Sequence, residues 1–302
     1  MTCTEKHDLA VAYRIYPRVS PPALDLGFGE DKLSLSEACL KSFKGSLGRL
    51  RVKIWAILDG CPPEFEDLFR KYFDDSQLVL LKFDSVGNHR TFAAQIEVLS
   101  EQADADLVYF AEDDYFYLPD QFCRMVKFLR AGPDIDFVSP FDHLDCYRLA
   151  LHRTPKWIRT YADHHWRTAS STCLTFLTRK QTLVKYRAVF DSYVKGNWDS
   201  SLWLSLTKDR VRNPWFLARS FLAGSFEWKI IVKAWLHCWP QILLGKKLNL
   251  WVPVPGIATH LDARSLSPAT DWQRLMSSSL EGHRVSVSAS PENHPEPLTR
   301  IS

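Results

Sequence analysis

The sequence predicts an α/β fold in which a mostly parallel, twisted sheet carries helices on both faces. Apolar runs of strand length alternate with helix-periodic stretches four times within the first 130 residues, the pattern of strands joined by crossover helices. One of those runs, Val52 to Leu58, is nearly all apolar, as a strand covered on both faces must be. Ligands of such sheets bind beyond the carboxyl ends of the strands, so strand ends are where chemistry is sought.

Asp8 to Tyr13 is a short apolar run that reads as the first strand. Ser34 to Leu50 follows with Ala38, Cys39, Phe43, Leu47 and Leu50 at helical spacing, and Ser34 with Glu37 has the spacing of a capping box. Asp59-Gly60 ends the strand at Val52 to Leu58 with turn chemistry, and Pro62 and Pro63 open a helix carrying Phe65, Leu68, Phe69 and Tyr72 on one side. The pattern continues with a strand at Leu78 to Phe83, a helix at Arg90 to Gln102, a strand at Ala105 to Ala111 and a helix at Pro119 to Arg130.

After Ile135 to Pro140 the rhythm breaks. Phe141 to Arg167 is rich in His, Arg, Trp and Tyr without periodicity and reads as a functional loop. Ser171 to Leu177 reads as a strand, with helices at Arg179 to Tyr193 and Asp199 to Leu206. Pro214 to Leu244 is apolar and Trp-rich, but Arg219, Glu227, Lys229 and Lys233 interrupt it too often for a membrane span. Its aromatic residues Trp215, Phe216, Phe221, Phe226, Trp228, Trp235 and Trp239 read mostly as core, with docking at a membrane interface beside Lys229, Lys233, Lys246 and Lys247 as the sharper alternative. From Ser277 onward the composition turns to Ser, Pro, Glu and His, which buries too little apolar surface to order itself.

Composition narrows the function. A content of 46% hydrophobic and 24% charged residues is that of a globular protein, and a net charge of +3 from 38 basic and 35 acidic residues makes no field suited to nucleic acid. The 7 cysteines are scattered without a CxxC pair, and Met1 to Leu9 lacks the apolar core of a secretory signal. Reduced thiols and a cytoplasmic location are therefore expected. Gly27-Phe28-Gly29 lacks the third glycine and the preceding strand of a dinucleotide fingerprint, and no Walker A pattern occurs. The histidines at 143, 152, 164 and 165 have no clean zinc spacing and read as loop or acceptor contacts.

The sharpest feature is Glu112-Asp113-Asp114, directly after an apolar strand. Three like charges at the end of a buried strand need positive charge nearby, and a hard divalent cation with a diphosphate would supply it. A solvated turn is the alternative. Asp59 also ends a strand, so a doubly wound sheet puts it on the same edge, although a carboxylate beside Gly60 is ordinary turn punctuation.

Taken in order, Ala12-Tyr13-Arg14, Asp59, Val86-Gly87-Asn88-His89-Arg90 and Glu112-Asp113-Asp114 resemble the family 2 glycosyltransferases of the glycosyltransferase-A fold. The resemblance covers the first half best. It implies a glycosyltransferase-A fold with a helical C-terminal elaboration, in which residues 1–140 bind a nucleotide diphosphate sugar, 141–276 hold the acceptor and 277–302 form a loose tail. It further implies donor-nucleotide contacts from Ala12, Tyr13, Arg14, Asp59, Asn88, Arg90 and Asp113, and a Mn2+ or Mg2+ ion held by Asp114 with Glu112 and His260. Glu112 stands where the family's DxD motif usually begins with Asp, and Tyr115 where a further Asp is common.

An inverting transfer also needs a base for the acceptor hydroxyl. The resemblance puts it at the start of a helix in the second half, where Asp199 stands; Trp198 precedes it in place of the family's usual second acid. A helix-cap role is the alternative for Asp199. Arg14 and Arg264 suit diphosphate charge, because guanidinium is a planar, permanent cation. The expected partners are a uridine diphosphate sugar and a saccharide or lipid-linked acceptor, at the inner face of a membrane if the apolar segment docks there. Two competing readings are a nucleotidyltransferase, whose Gly-rich loop is missing from Tyr13 to Ser20, and a silent nucleotide-sugar-binding protein.

Overall fold

A computed structural model describes residues 6–20, 23, 26 and 31–278. The chain begins with β1 (Leu9–Ile15), α1 (Lys32–Leu47), β2 (Val52–Asp59), α2 (Glu64–Tyr72), β3 (Leu78–Phe83), α3 (Asn88–Glu101), β4 (Leu107–Glu112), a short β5 (Tyr115–Tyr117) and α4 (Phe122–Arg130). It continues through β6 (Phe137–Val138), a helical turn α5 (Asp145–Arg148), the hairpin β7 (Ile158–Tyr161) and β8 (His164–Ala169), and β9 (Phe176–Arg179). A helical segment follows: α6 (Lys180–Lys185), α7 (Arg187–Val194), α8 (Asp199–Thr207), α9 (Pro214–Leu222) and α10 (Glu227–Leu244). Then β10 (Leu250–Val254) and β11 (Ala258–His260) return to the sheets.

The fold class is the expected one, α/β with helices on both faces of a large sheet. Its strand order is β3-β2-β1-β4-β9-β6-β10-β8-β7, and the β3-β2-β1-β4 half is parallel throughout. β1 alternates between two cores: Leu9, Val11, Tyr13 and Ile15 pack with residues of α1, α2 and α4, whereas Ala10 and Ala12 pack with α3, α7 and α8. Period-2 alternation on a doubly covered strand explains why it reads as an unbroken apolar run.

Several expected boundaries change. The first helix starts at Lys32, and Asp31 caps it, accepting from the amides of Leu33 and Ser34. The capping box of Ser34 and Glu37 does not form; Ser34 bonds Asp31, and Glu37 accepts from Tyr72 and pairs with Lys71. The second-half strand lies at Phe176–Arg179 rather than 171–177, and it runs antiparallel between β4 and β6. The expected single helix from 179 to 193 is two, broken at Tyr186.

Residues 141–167 are not a loop throughout, since they hold α5, a 3-10 turn at Ala150–His152 and the β7-β8 hairpin that contains His164, His165 and Trp166. The aromatic stripe is not mostly core either. Trp215, Phe221, Phe226 and Trp239 are exposed, while α10 buries Ile230, Ile231, Ala234 and Ile242 against Leu151 and Leu204. Among the described residues no helix is long and apolar enough to cross a membrane. Gly27-Phe28-Gly29 and the tail beyond residue 278 lie outside the described residues.

Candidate functional site

A cavity of about 380 Å³ opens at the carboxyl ends of β1, β2 and β4. Arg14, Lys32, Asp59, Asn88 and the triplet Glu112, Asp113 and Asp114 line it. The sheet register explains part of this gathering. Arg14 and Glu112 stand directly opposite each other on the parallel pair β1 and β4, so their side chains leave the same face of neighbouring strands.

Asp59 is buried, and both its oxygens accept backbone amides, Val86 at 2.6 Å and Gly87 at 2.8 Å. It clamps the turn that leads into α3. Gly60, with φ of +66°, lets the chain leave β2 beside that turn; a Cβ there would stand 2.2 Å from the Ser85 hydroxyl oxygen. The turn in turn presents Asn88, whose backbone and side-chain oxygens accept from Arg14 and whose amide donates to the Tyr193 hydroxyl at 3.3 Å.

Each acid of the triplet has a different cation. Glu112 pairs with Arg14 and accepts from the Thr175 hydroxyl at 2.8 Å. Asp113 pairs with Lys32 at 2.7 Å and accepts from the Tyr16 amide at 3.2 Å. Asp114 pairs with His260 at 3.0 Å, because β5 and β11 form a small antiparallel ribbon that sets His260 opposite Tyr115.

Burial works against these charges and the partners restore them. Asp114 is held down to about 2 by His260 against the effect of burial, and His260 is raised to about 9 by Asp114 in the same way. Asp113 moves the other way: burial raises it in spite of Lys32. Asp114 and His260 are thus an ion pair at neutral pH.

Asp199 sits at the first residue of α8, beside a second, smaller cavity of about 40 Å³ that His143, His152, Cys173 and Ser200 also line. It does not cap the helix; Trp198 holds that position, and the Asp199 carboxylate accepts from the amide and hydroxyl of Ser200. Burial raises its pKa, with nearby Glu112 adding to the rise. Glu112, which lines the larger cavity, is thus close enough to Asp199 to act on its charge.

Of the residues singled out in the sequence, the larger cavity gathers Arg14, Asp59, Asn88, Glu112, Asp113 and Asp114. Ala12 and Tyr13 are fully buried beneath it, Tyr13 edge-on to Phe43 and Phe69; β1 contributes Ile15 and Tyr16 to the lining instead. Arg90 is exposed on α3 and lines neither cavity. His260 reaches the site through Asp114, and Arg264 bonds Asp262 at the surface, 3.3 Å away.

Sequence reasoning missed Lys32, Thr175 and Tyr193. Lys32 carried a usable signal. A cation in the first turn of a helix opposes the helix dipole, and α1 has no acid in its first turn, so its presence there asks for a partner beyond the helix. Thr175, on an irregular segment before β9, carried none.

His152 offers a test of the smaller cavity. Burial, with Lys156 second, lowers its pKa from 6.5 to about 4, so the folded protein keeps it neutral where the unfolded chain is protonated. The unfolded state binds the extra proton between those values. Stability is therefore fully present above pH 6.5 and falls as pH drops towards 4, by up to about 3 kcal/mol from this group. Urea denaturation across pH 4 to 7 is expected to show that loss, and His152→Gln to remove most of it; an unchanged slope in the variant would place the titration elsewhere.

The donor set admits a cation in part. The Asp114 Oδ1 atom is buried and accepts no hydrogen bond, which fits a hard ion. Glu112 and Asp113 are engaged by Arg14 and Lys32, and among the described residues no set of three or more His, Cys, Asp or Glu is grouped to hold a metal.

No family model matches the chain, and no curated protein matches it by sequence. Among solved structures the chain is similar to the glycosyltransferase GlyE of Streptococcus pneumoniae TIGR4, at 14% identity over 96% of this chain and 66% of that one, with a TM-score of 0.42. It is similar to the galactosyltransferase LgtC in complex with donor and acceptor sugar analogues, at 9% identity over 90% and 95%, TM-score 0.45. It is also similar to the mannosyltransferase PcManGT from Pyrobaculum calidifontis in complex with GDP-Man and Mn2+, at 12% identity over 96% and 77%, TM-score 0.42.

Proposed function

We propose that the chain is a glycosyltransferase that moves a sugar from a nucleotide diphosphate to an acceptor hydroxyl, with inversion at the sugar carbon. The observation that carries this reading is the cavity at the carboxyl ends of β1, β2 and β4, where Arg14, Lys32 and His260 face Glu112, Asp113 and Asp114. Paired charges at that edge suit a polyanionic ligand that exchanges with them. Asn88 and Asp59 hold the turn against which a nucleotide would rest.

In the reaction the acceptor oxygen attacks the sugar carbon, its proton passes to Asp199, and the bond to the diphosphate breaks with its electron pair leaving on phosphate oxygen. Burial keeps the Asp199 carboxylate more basic than an ordinary one. Asp114, through its unengaged Oδ1, would hold Mn2+ or Mg2+, joined by Glu112 and His260 only once Glu112 leaves Arg14 and the imidazolium gives up its proton; the ion when bound would supply positive charge against the departing diphosphate. Arg14 and Lys32 add permanent charge at the same edge. A uridine diphosphate sugar is the donor proposed.

A second reading, a protein that binds nucleotide sugars without transferring them, is favoured by the pairing of all three carboxylates with cations of the chain itself. Calorimetry with a panel of nucleoside diphosphates, with and without manganese, tests the donor site. Manganese-dependent binding is expected to weaken about tenfold or more in Asp114→Ala. Absence of binding by the intact protein under both conditions would sink the donor reading; binding without transfer to any acceptor would select the silent one.

A further inference from the structure

A group of exposed large apolar side chains lies on α9 and α10. Trp215 is 84% exposed, Leu222 83%, Leu236 72% and Leu244 82%. The spacing is helical. Trp215 and Leu222 are seven apart on α9; on α10, Val232 and Leu236 are four apart before the kink at Cys238, and Trp239 and Leu243 four apart after it, while Ile230, Ile231, Ala234 and Ile242 are buried. α10 therefore has two apolar sides, one packed on the protein and one turned to solvent, while α9 packs only the partly buried Phe216 and Leu217. Exposed apolar side chains gathered in this way mark an interaction surface.

Charge identifies the occupant. Residues 210–250 contain seven Lys and Arg and a single carboxylate, Glu227. That carboxylate faces inward, accepting from the amide of Leu151 and the hydroxyl of Ser225. Arg219, Lys229 and Lys246 are exposed in the same segment. Two copies meeting through this face would bring like charges together across a symmetric interface. A surface that is apolar and negatively charged satisfies both features. Crossing a membrane is ruled out for α10 by Glu227, Lys229, Lys233 and Pro240 within its 18 residues.

We propose that the outer face of α9 and α10 docks on a bilayer that contains anionic lipid, with Trp215, Leu222, Leu236 and Leu244 entering the interface and the surrounding Lys and Arg meeting headgroups. The face is tied to the smaller cavity. Phe226, just before α10, stacks on Trp198 at 4.9 Å and 18°, and Lys233 donates to the Gly196 carbonyl at 2.6 Å, so the start of α10 is fastened to the turn that precedes Asp199. Docking sets that turn close to the bilayer, where a membrane-borne acceptor would be met if the transfer reading holds; the docking itself does not depend on that chemistry.

Flotation of the full-length protein with vesicles tests this, comparing phosphatidylcholine alone with a mixture containing about one third phosphatidylglycerol. Binding to the anionic vesicles is expected to be about tenfold tighter or more, to weaken as salt is raised, and to drop about tenfold in Leu222→Glu/Leu236→Glu. Both side chains are exposed, so circular dichroism and thermal melting of the variant should match the intact protein. Failure to bind either vesicle, or binding that the double substitution leaves unchanged, overturns the proposal. A concentration-dependent dimer that the same substitutions dissolve, without vesicle binding, would assign the face to a second copy and overturn it equally.

Discussion

Asp199→Asn is expected to slow sugar transfer by about 10³-fold while leaving the dissociation constant of the donor within about twofold. The substitution removes the proton acceptor and little else. Asparagine keeps the Oδ1 atom, so the amide and hydroxyl of Ser200 retain their acceptor, and the first turn of α8 keeps its conformation. The larger cavity does not include Asp199, so the proposed donor contacts with Arg14, Asn88 and the acidic triplet would stay in place. The pH dependence of the residual rate gives a second readout. The intact protein should lose activity on the acid side as Asp199 is protonated, at a pH above that of an ordinary carboxyl because burial raises it, and the variant should lack that limb. Equal losses in donor binding and in rate would instead mean that Asp199 supports the architecture of the edge.

What the sequence disclosed about this edge, and what it hid, follows from how local each signal is. The alternation through residue 130 is local: each strand and each crossover helix carries its own periodicity, and β1 to β4 and α1 to α4 lie within a few residues of their expected positions. Asp59 and the triplet were legible for the same reason, since a carboxylate directly after an apolar run announces a strand end. The antiparallel insertion of β9 between β4 and β6 depends on pairing across roughly seventy residues of chain, and nothing in the four-residue segment Phe176–Arg179 encodes its partners. The β7-β8 hairpin was hidden differently. Ile158 on β7 is exposed while Trp166 on β8 is buried, so the apolar alternation that marks a half-buried strand is broken on one of its two strands. The same failure of hydrophobicity to report burial put the aromatic residues of α9 and α10 in the core on paper and on the surface in the fold.

The cations that neutralise the triplet were the harder part of the site. Arg14 was visible because it follows the first apolar run. Lys32 arrives from the start of α1 and His260 from a three-residue strand near the end of the described chain, so both depend on tertiary placement. Three strand-end carboxylates do require positive charge, and the chain itself supplies one cation to each acid. A divalent ion is thus an addition at Asp114 Oδ1 and not the sole answer to the repulsion.

That arrangement makes Arg14 a structural group as well as a ligand of the cavity, and Arg14→Met is expected to lower unfolding free energy by about 3 to 5 kcal/mol. Arg14 and Glu112 are both largely buried, at 8% and 16% side-chain exposure, on adjacent central strands. Methionine fills similar space without charge, so the loss reflects what is left behind. Glu112 would keep one neutral donor, the Thr175 hydroxyl, and the Asn88 side-chain oxygen would lose its donor, whereas the Asn88 backbone oxygen would still accept from the Thr91 hydroxyl. A carboxylate stranded in that setting is far more unfavourable than the pair is favourable, because most of the attraction in a buried pair only repays desolvation. The double variant Arg14→Met/Glu112→Gln removes both charges and should therefore be more stable than Arg14→Met alone, a non-additivity that urea titration of the three proteins can measure. A single-variant loss below about 1 kcal/mol would mean that water reaches Glu112 freely, and the pair would then be available to open for a ligand with little effect on the fold.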